Sequence, residues 1–266
     1  FGPSFYRKLP FIYIANLFHK PVINHIHGAD LDNFYINASL KKKKLIRCTY
    51  LRCSKLIALS NEWADRLKTI VPESRIVVIE NYSVLYPDAL KQRMERKSNN
   101  IVLFLGELGK RKGCYDIPDV DVIRAVLKSV PDAQFILADD GTKLAKQNIK
   151  RLLKEKNVSK YVYFSGWVRN KEKDILLRNS DIFFLPSYNG GMPMSILDAM
   201  GYGLPIISTN VGGIPKIVEN GKNGFCLTPG DITEMANAIS HLLKNPELLK
   251  DMSSQSYEII KRKIYT

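Results

Sequence analysis

With 266 residues, 45% of them hydrophobic and 25% charged, the chain is long enough for two α/β cores and has the composition of an ordinary folded protein. No apolar run reaches the ~18 residues of a membrane span, and the first residues lack the basic-then-apolar layout of a signal peptide, so the cytoplasm is the expected location. Cys48, Cys53, Cys114 and Cys226 form no C-x-x-C pair and lie in or beside apolar segments, which reads as reduced, mostly buried thiols, with neither a disulfide nor a metal site expected.

Short β-rich runs alternate with helical stretches, the pattern of parallel sheets with crossover helices. After an amphipathic lead-in, the first third predicts strands over 21–27, 55–60 and 75–80, with helices near 37–53 and 61–70. The net charge of +14 is concentrated here: residues 1–99 hold 17 Lys/Arg against 8 Asp/Glu. The run Lys41, Lys42, Lys43, Lys44, continued by Arg47 and Arg52, reads first as a solvated helix face and next as a surface for an anionic membrane. A nucleic-acid partner is disfavoured, because the aromatic RNA motifs and zinc spacings are missing.

A polar stretch over 87–100 interrupts the alternation and predicts a boundary, giving lobes over 1–96 and 97–255 with the start of a further helix over 256–266. Beyond it come strands over 101–106, 134–138, 161–166, 181–187 and 204–209. The helices between them fall near 116–129, 143–156, 171–179 and 193–202, and Asp231 with Glu234 opens one that ends near Lys244. Five strands with right-handed crossovers predict a doubly wound sheet whose polar loops collect at one edge, where ligands bind in this architecture.

The segment over 185–218, LPSYNGGMPMSILDAMGYGLPIISTNVGGIPKIV, carries the chemistry. A strand ends at Ser187, Gly190 and Gly191 permit a tight turn, and Pro193 suits the first residue of a helix whose N-terminal amides would face the ligand edge. Asp198 lies inside that helix among Ile196, Leu197 and Met200, and a carboxylate so placed needs a partner, which ribose hydroxyls would supply. No G-x-G-x-x-G opens a helix after any predicted strand, which argues against a dehydrogenase.

Taken together, Pro186-Ser187, Gly191-Met192-Pro193, Asp198-Ala199-Met200, Gly203-Leu204-Pro205 and Val211-Gly212-Gly213-Ile214-Pro215 resemble the signature of glycosyltransferase family 4. The resemblance covers most of the chain. Gly106 to Gly113 resembles the first loop of the family's donor lobe, with Lys112 on its diphosphate-binding lysine; Gly166-Trp167-Val168 resembles the strand end that frames the nucleobase; and His27 matches a strand-end histidine at the interlobe cleft. The turn after the second strand has its counterpart in Asp139-Asp140-Gly141.

The resemblance implies an α/β fold of GT-B type, with two Rossmann-like doubly wound lobes facing a cleft. It implies retaining transfer of a sugar from a nucleoside diphosphate sugar to a hydroxyl of a glycan or lipid-linked acceptor, without cofactor or metal, as in bacterial capsule and exopolysaccharide assembly. Lys112 would hold the diphosphate, with Gly106, Gly190, Gly191, Met192 and Met194 around phosphate and sugar. Trp167 and Val168 would frame the base, Asp198 the ribose, and His27 the sugar or acceptor.

Two departures stand out. Gly190 occupies the place of the family's first carboxylate, and Glu107 that of a phosphate-binding arginine, where it would repel the phosphates unless turned away. The strand and glycine-rich loop that open the family's front lobe have no counterpart, and the closing helix stops early near 257–266, so that lobe reads as truncated and this chain as poorly active. The alternatives are a degenerate transferase that binds nucleotide without turnover and, more remotely, a basic module for nucleic acid or membrane.

Overall fold

The computed structural model describes residues 2–27, 31–108, 121–138, 141–188 and 192–265. Two compact units divide the chain at Asn81 and Tyr82.

Unit 1 holds helix α1 (Gly2–Leu17), strand β1 (Ile23–His25), helices α2 (Leu31–Ile36) and α3 (Leu40–Leu51), strand β2 (Lys55–Ala58), helix α4 (Asn61–Lys68) and strand β3 (Ile76–Val78). The strands form a parallel sheet in the order β1-β2-β3. The amphipathic lead-in is helix α1, and Phe5 and Ile12 on it join Ile46, Tyr50, Leu56 and Leu67 in the core. The helix expected over 37–53 is α3, which Ser39 caps by accepting the amide of Lys42, and α2 precedes it as an element the sequence did not predict.

Unit 2 holds helix α5 (Pro87–Glu95), strand β4 (Ile101–Leu105), helix α6 (Asp121–Ser129), strand β5 (Gln134–Ala138), helix α7 (Lys143–Glu155), strand β6 (Val162–Gly166), helix α8 (Asn170–Asn179), strand β7 (Ile182–Leu185), helix α9 (Met194–Gly201), strands β8 (Ile206–Thr209) and β9 (Gly224–Leu227), and helices α10 (Ile232–Lys244) and α11 (Pro246–Tyr265). Its sheet is all parallel, in the order β6-β5-β4-β7-β8-β9. The β7 and β8 side chains are buried throughout, as befits central strands covered on both faces.

Four expectations change. The sheet has six strands instead of five. The added β9 opens at Gly224, with φ +154° and space for no side chain, since a Cβ there would meet the Ile206 carbonyl at 1.8 Å. The stretch over 87–100 is no domain boundary: its residues 87–95 form helix α5, which packs on α8 and α11 and drives buried Arg93 into unit 2. Arg93 Nη2 donates to the Leu177 carbonyl at 2.9 Å, Nη1 to that of Ser180 and Nε to that of Tyr202, while Arg96 pairs with buried Asp181 at 2.8 Å. These contacts place the division at residue 81 where the sequence put it near 96. The helix expected to start at 256 starts earlier: α11 runs unbroken from Pro246 to Tyr265 within unit 2.

Candidate active site

In unit 2 the strand order reverses between β4 and β7. Open α/β sheets bind ligands outside the carboxyl ends of the strands at such a switch point. The two loops that leave this point begin at Gly106 and at Pro186, the two segments that the sequence singled out. Gly106 is held there by its amide, which donates to the Ala138 carbonyl at 3.1 Å. Lys112, Gly190 and Gly191 lie outside the described residues, as do Asp139 and Asp140.

The far end of the second loop is described. Met192 is buried against Gly213, and half-exposed Met194 opens α9. Pro193 caps α9 one residue before its start, where the sequence placed it as the first helical residue, and its carbonyl receives the amides of Ile196 and Leu197. A helix's first amides have no carbonyl within their own helix to bind, and in α9 these begin with Met194 and Ser195.

Asp198 sits on α9 between residues that are fully buried, and its carboxylate turns into a hollow of about 390 Å³. Ser83 Oγ donates to Oδ1 at 2.8 Å and Lys173 Nζ, from α8, donates to Oδ2 at 2.5 Å. The hollow is lined further by Val84, Tyr86, Val168, Arg169 and Asn170. Of the predicted residues, Asp198 and Val168 thus meet in one cavity of a size that suits a small ligand. Trp167 does not line this cavity; it is half-exposed, with the Arg169 guanidinium over its ring at 4.7 Å. The sequence left Asp198's partner to a ribose; the protein itself supplies two, which sequence reasoning missed.

A second acid that lines the hollow, Asp174, has its own partners. Asp174 accepts Arg178 Nε at 3.0 and 2.9 Å and the Tyr202 hydroxyl at 2.8 Å, and Arg178 continues to Asp88 at 2.8 Å. Burial works to raise the Asp174 pKa, but its hydrogen bonds from Arg178 and Tyr202 hold it below the ordinary value. Tyr202 stacks on Tyr86 with ring centroids 4.0 Å apart, and burial first, then Asp174, push its hydroxyl pKa up. The loop over 82–86 is seated by Gly201, whose carbonyl accepts the Tyr86 amide at 3.0 Å.

His27, in unit 1, is exposed at the rim of a pocket of about 320 Å³ that Lys8, Asn24 and Tyr50 also line. Its ring lies 3.9 Å from that of His25, whose pKa is lowered by burial first and then by His27 and Lys8. Lys8 Nζ donates to Asn24 Oδ1 at 3.1 Å and to the His25 carbonyl at 3.2 Å.

The sheet order in unit 2 and the polar hollow beside its carboxyl edge define a Rossmann-like α/β domain of the doubly wound class. The family model for glycosyl transferases group 1 matches residues 87–259, and the chain belongs to that family. It is 30% identical over 209 residues to an uncharacterized glycosyltransferase of Haemophilus influenzae, covering 77% of this chain and 56% of that one. It is 27% identical over 247 residues to N-acetyl-alpha-D-glucosaminyl L-malate synthase of Bacillus anthracis, covering 90% and 62%. The chain therefore spans less than two thirds of the length of these relatives. Among solved structures, Anabaena HepE in complex with UDP and glucose superposes with a TM-score of 0.76 at 20% identity, over 94% of this chain and 69% of that one. Staphylococcus aureus TarM, solved with UDP, gives 0.75 at 20% identity over 92% and 48%. These likenesses carry the fold, which is of the GT-B class. No helix of the described residues is long and apolar enough to cross a membrane.

Proposed function

We propose that this chain is the greater part of a retaining glycosyltransferase of the family 4 type, which moves a sugar from a nucleoside diphosphate sugar to a hydroxyl of a glycan or lipid-linked acceptor. The observation that carries the reading is the meeting of Asp198 and Val168 in one hollow beside the carboxyl edge of a doubly wound sheet. In this reading Asp198 takes the ribose, and Trp167 and Val168 frame the base. The amides that open α9, with Gly190, Gly191 and Lys112, hold the diphosphate, whose growing negative charge on departure they stabilise. Gly106 lets the first loop approach it, and His27 meets the sugar or acceptor. Catalysis rests on positioning and leaving-group stabilisation, and no metal is assigned a part. The pathway proposed is bacterial surface polysaccharide assembly, with the basic front unit lying against an anionic membrane surface and no nucleic-acid partner.

Isothermal titration with UDP, GDP and ADP tests the reading; UDP comes first because the HepE and TarM structures contain it. One of them should bind the wild-type chain, and Asp198→Asn should weaken it by roughly 10-fold or more, the loss of a hydrogen bond to a charged group. Failure of all three to bind sinks the reading. A second reading, a degenerate transferase that binds without turnover, is favoured by Gly190 and Glu107, which replace a carboxylate and an arginine of the family pattern. Donor hydrolysis assays on the chain and its Gly190→Glu variant separate the two: binding with no hydrolysis in either supports the second.

A further inference from the structure

The hollow in unit 2 holds a donor that the proposed reading leaves unused. An ammonium carries three hydrogen-bond donors, and among the described residues Lys173 directs one to Asp198 Oδ2. The other carboxylate that lines the hollow, Asp174, is engaged by Arg178 and Tyr202. Lys173 is 33% exposed and Asp198 21% exposed, and both line the same cavity. Asp198 in turn has room: a carboxylate offers about four acceptor positions, of which Ser83 and Lys173 take two. An acceptor with spare lone pairs and a donor with spare protons therefore stand side by side, each held by the other.

A vicinal diol complements that pair. The 3′-hydroxyl donates to Asp198 while the 2′-oxygen of its neighbour accepts from Lys173. A carboxylate alone can only accept, so the added ammonium uses the second hydroxyl in the sense that the carboxylate cannot. We propose that Lys173 acts with Asp198 to read the ribose cis-diol of the donor nucleotide, and that it makes the chain select ribonucleotides over 2′-deoxyribonucleotides. The proposal rests on the reading of this hollow as the nucleoside site. A 2′-deoxy ligand leaves one member of the pair without its partner in a partly buried cavity, and a site built around a hydroxyl rejects the analogue that lacks it.

The test is titration of the full chain with UDP, GDP and ADP, then with the 2′-deoxy and 3′-deoxy forms of whichever binds best, for the wild type, Lys173→Met and Lys173→Arg. The wild type should bind the 2′-deoxy form roughly 10- to 100-fold more weakly than the ribonucleotide. Lys173→Met should weaken the ribonucleotide by a similar factor while changing the 2′-deoxy ligand by less than about 3-fold, and Lys173→Arg, which keeps a donor, should recover part of the discrimination. Equal losses for both ligands in Lys173→Met would show that the lysine only holds Asp198 in place, and equal wild-type affinity for all three sugars would show that the diol is not read. Either result overturns the proposal while leaving the nucleoside site standing. Absence of any nucleotide binding by the wild type removes the site itself.

Discussion

Gly201 tests whether the loop over 82–86 belongs to the candidate site. An alanine Cβ at this position would come within 2.2 Å of the Val84 carbonyl oxygen and 3.5 Å of Ser83 Oγ. The loop would have to withdraw by roughly 1 Å to reach van der Waals distance. That shift strains the Tyr86 amide bond to the Gly201 carbonyl, about 1 kcal/mol, and overpacking adds about 1–3 kcal/mol. Alanine returns up to about 1 kcal/mol through its better helix propensity, so Gly201→Ala should destabilise unit 2 by about 1–3 kcal/mol. For a unit of this size the melting temperature, followed by circular dichroism, should fall by roughly 3–10 °C. Nucleotide affinity should fall as well, because Ser83 is drawn away from Asp198. Gly166→Ala is the control: φ is +73° there but nothing lies within 4 Å, so only backbone strain of about 1 kcal/mol is introduced. A Gly201→Ala chain that melts within 1 °C of wild type and binds nucleotide unchanged would refute the reasoning.

Three further outcomes follow from other parts of the molecule. Arg93→Met should cost about 3 kcal/mol or more in urea unfolding, because it leaves the buried carbonyls of Leu177 and Tyr202 without a donor and weakens the hold on that of Ser180. Asp174 has a folded-state pKa below its unfolded value, so its contribution to stability is present above about pH 4 and is lost as pH falls through the folded value. Asp174→Asn should therefore flatten the acid limb of a stability–pH curve in that window; a curve of unchanged slope would contradict this. Cys48 is exposed, whereas Cys53 is buried and burial pushes its pKa up to about 11, so iodoacetamide at pH 8 should label Cys48 in the native chain and Cys53 only after denaturation, as read by peptide mass spectrometry.

The alternation of strand and helix was legible because buried parallel strands such as Phe183-Phe184-Leu185 and Ile206-Ile207 are written as continuous apolar runs. Strand β9 was not, since Gly-Phe-Cys-Leu is short and lacks β-branched residues, and its glycine is required by the closeness of Ile206, which only the fold reveals. Helix α5 read as a domain boundary because its sequence is polar, yet its arginine is buried against carbonyls that belong to distant residues. Asp198 could be recognised as an acid among apolar neighbours in need of partners. Lys173 could not, being one of four charges in Lys-Glu-Lys-Asp with nothing local to distinguish it, and Ser83 reaches Asp198 across 115 positions of chain.

The Arg93 clasp also fixes where this unit can be exchanged between relatives. A recombination seam placed after residue 96 would deliver a foreign helix whose side chain at position 93 must fit a slot with carbonyl walls at Leu177, Ser180 and Tyr202. A seam at residue 81 transfers key and lock together, so chimaeras joined there should inherit a finished unit rather than a mismatched one.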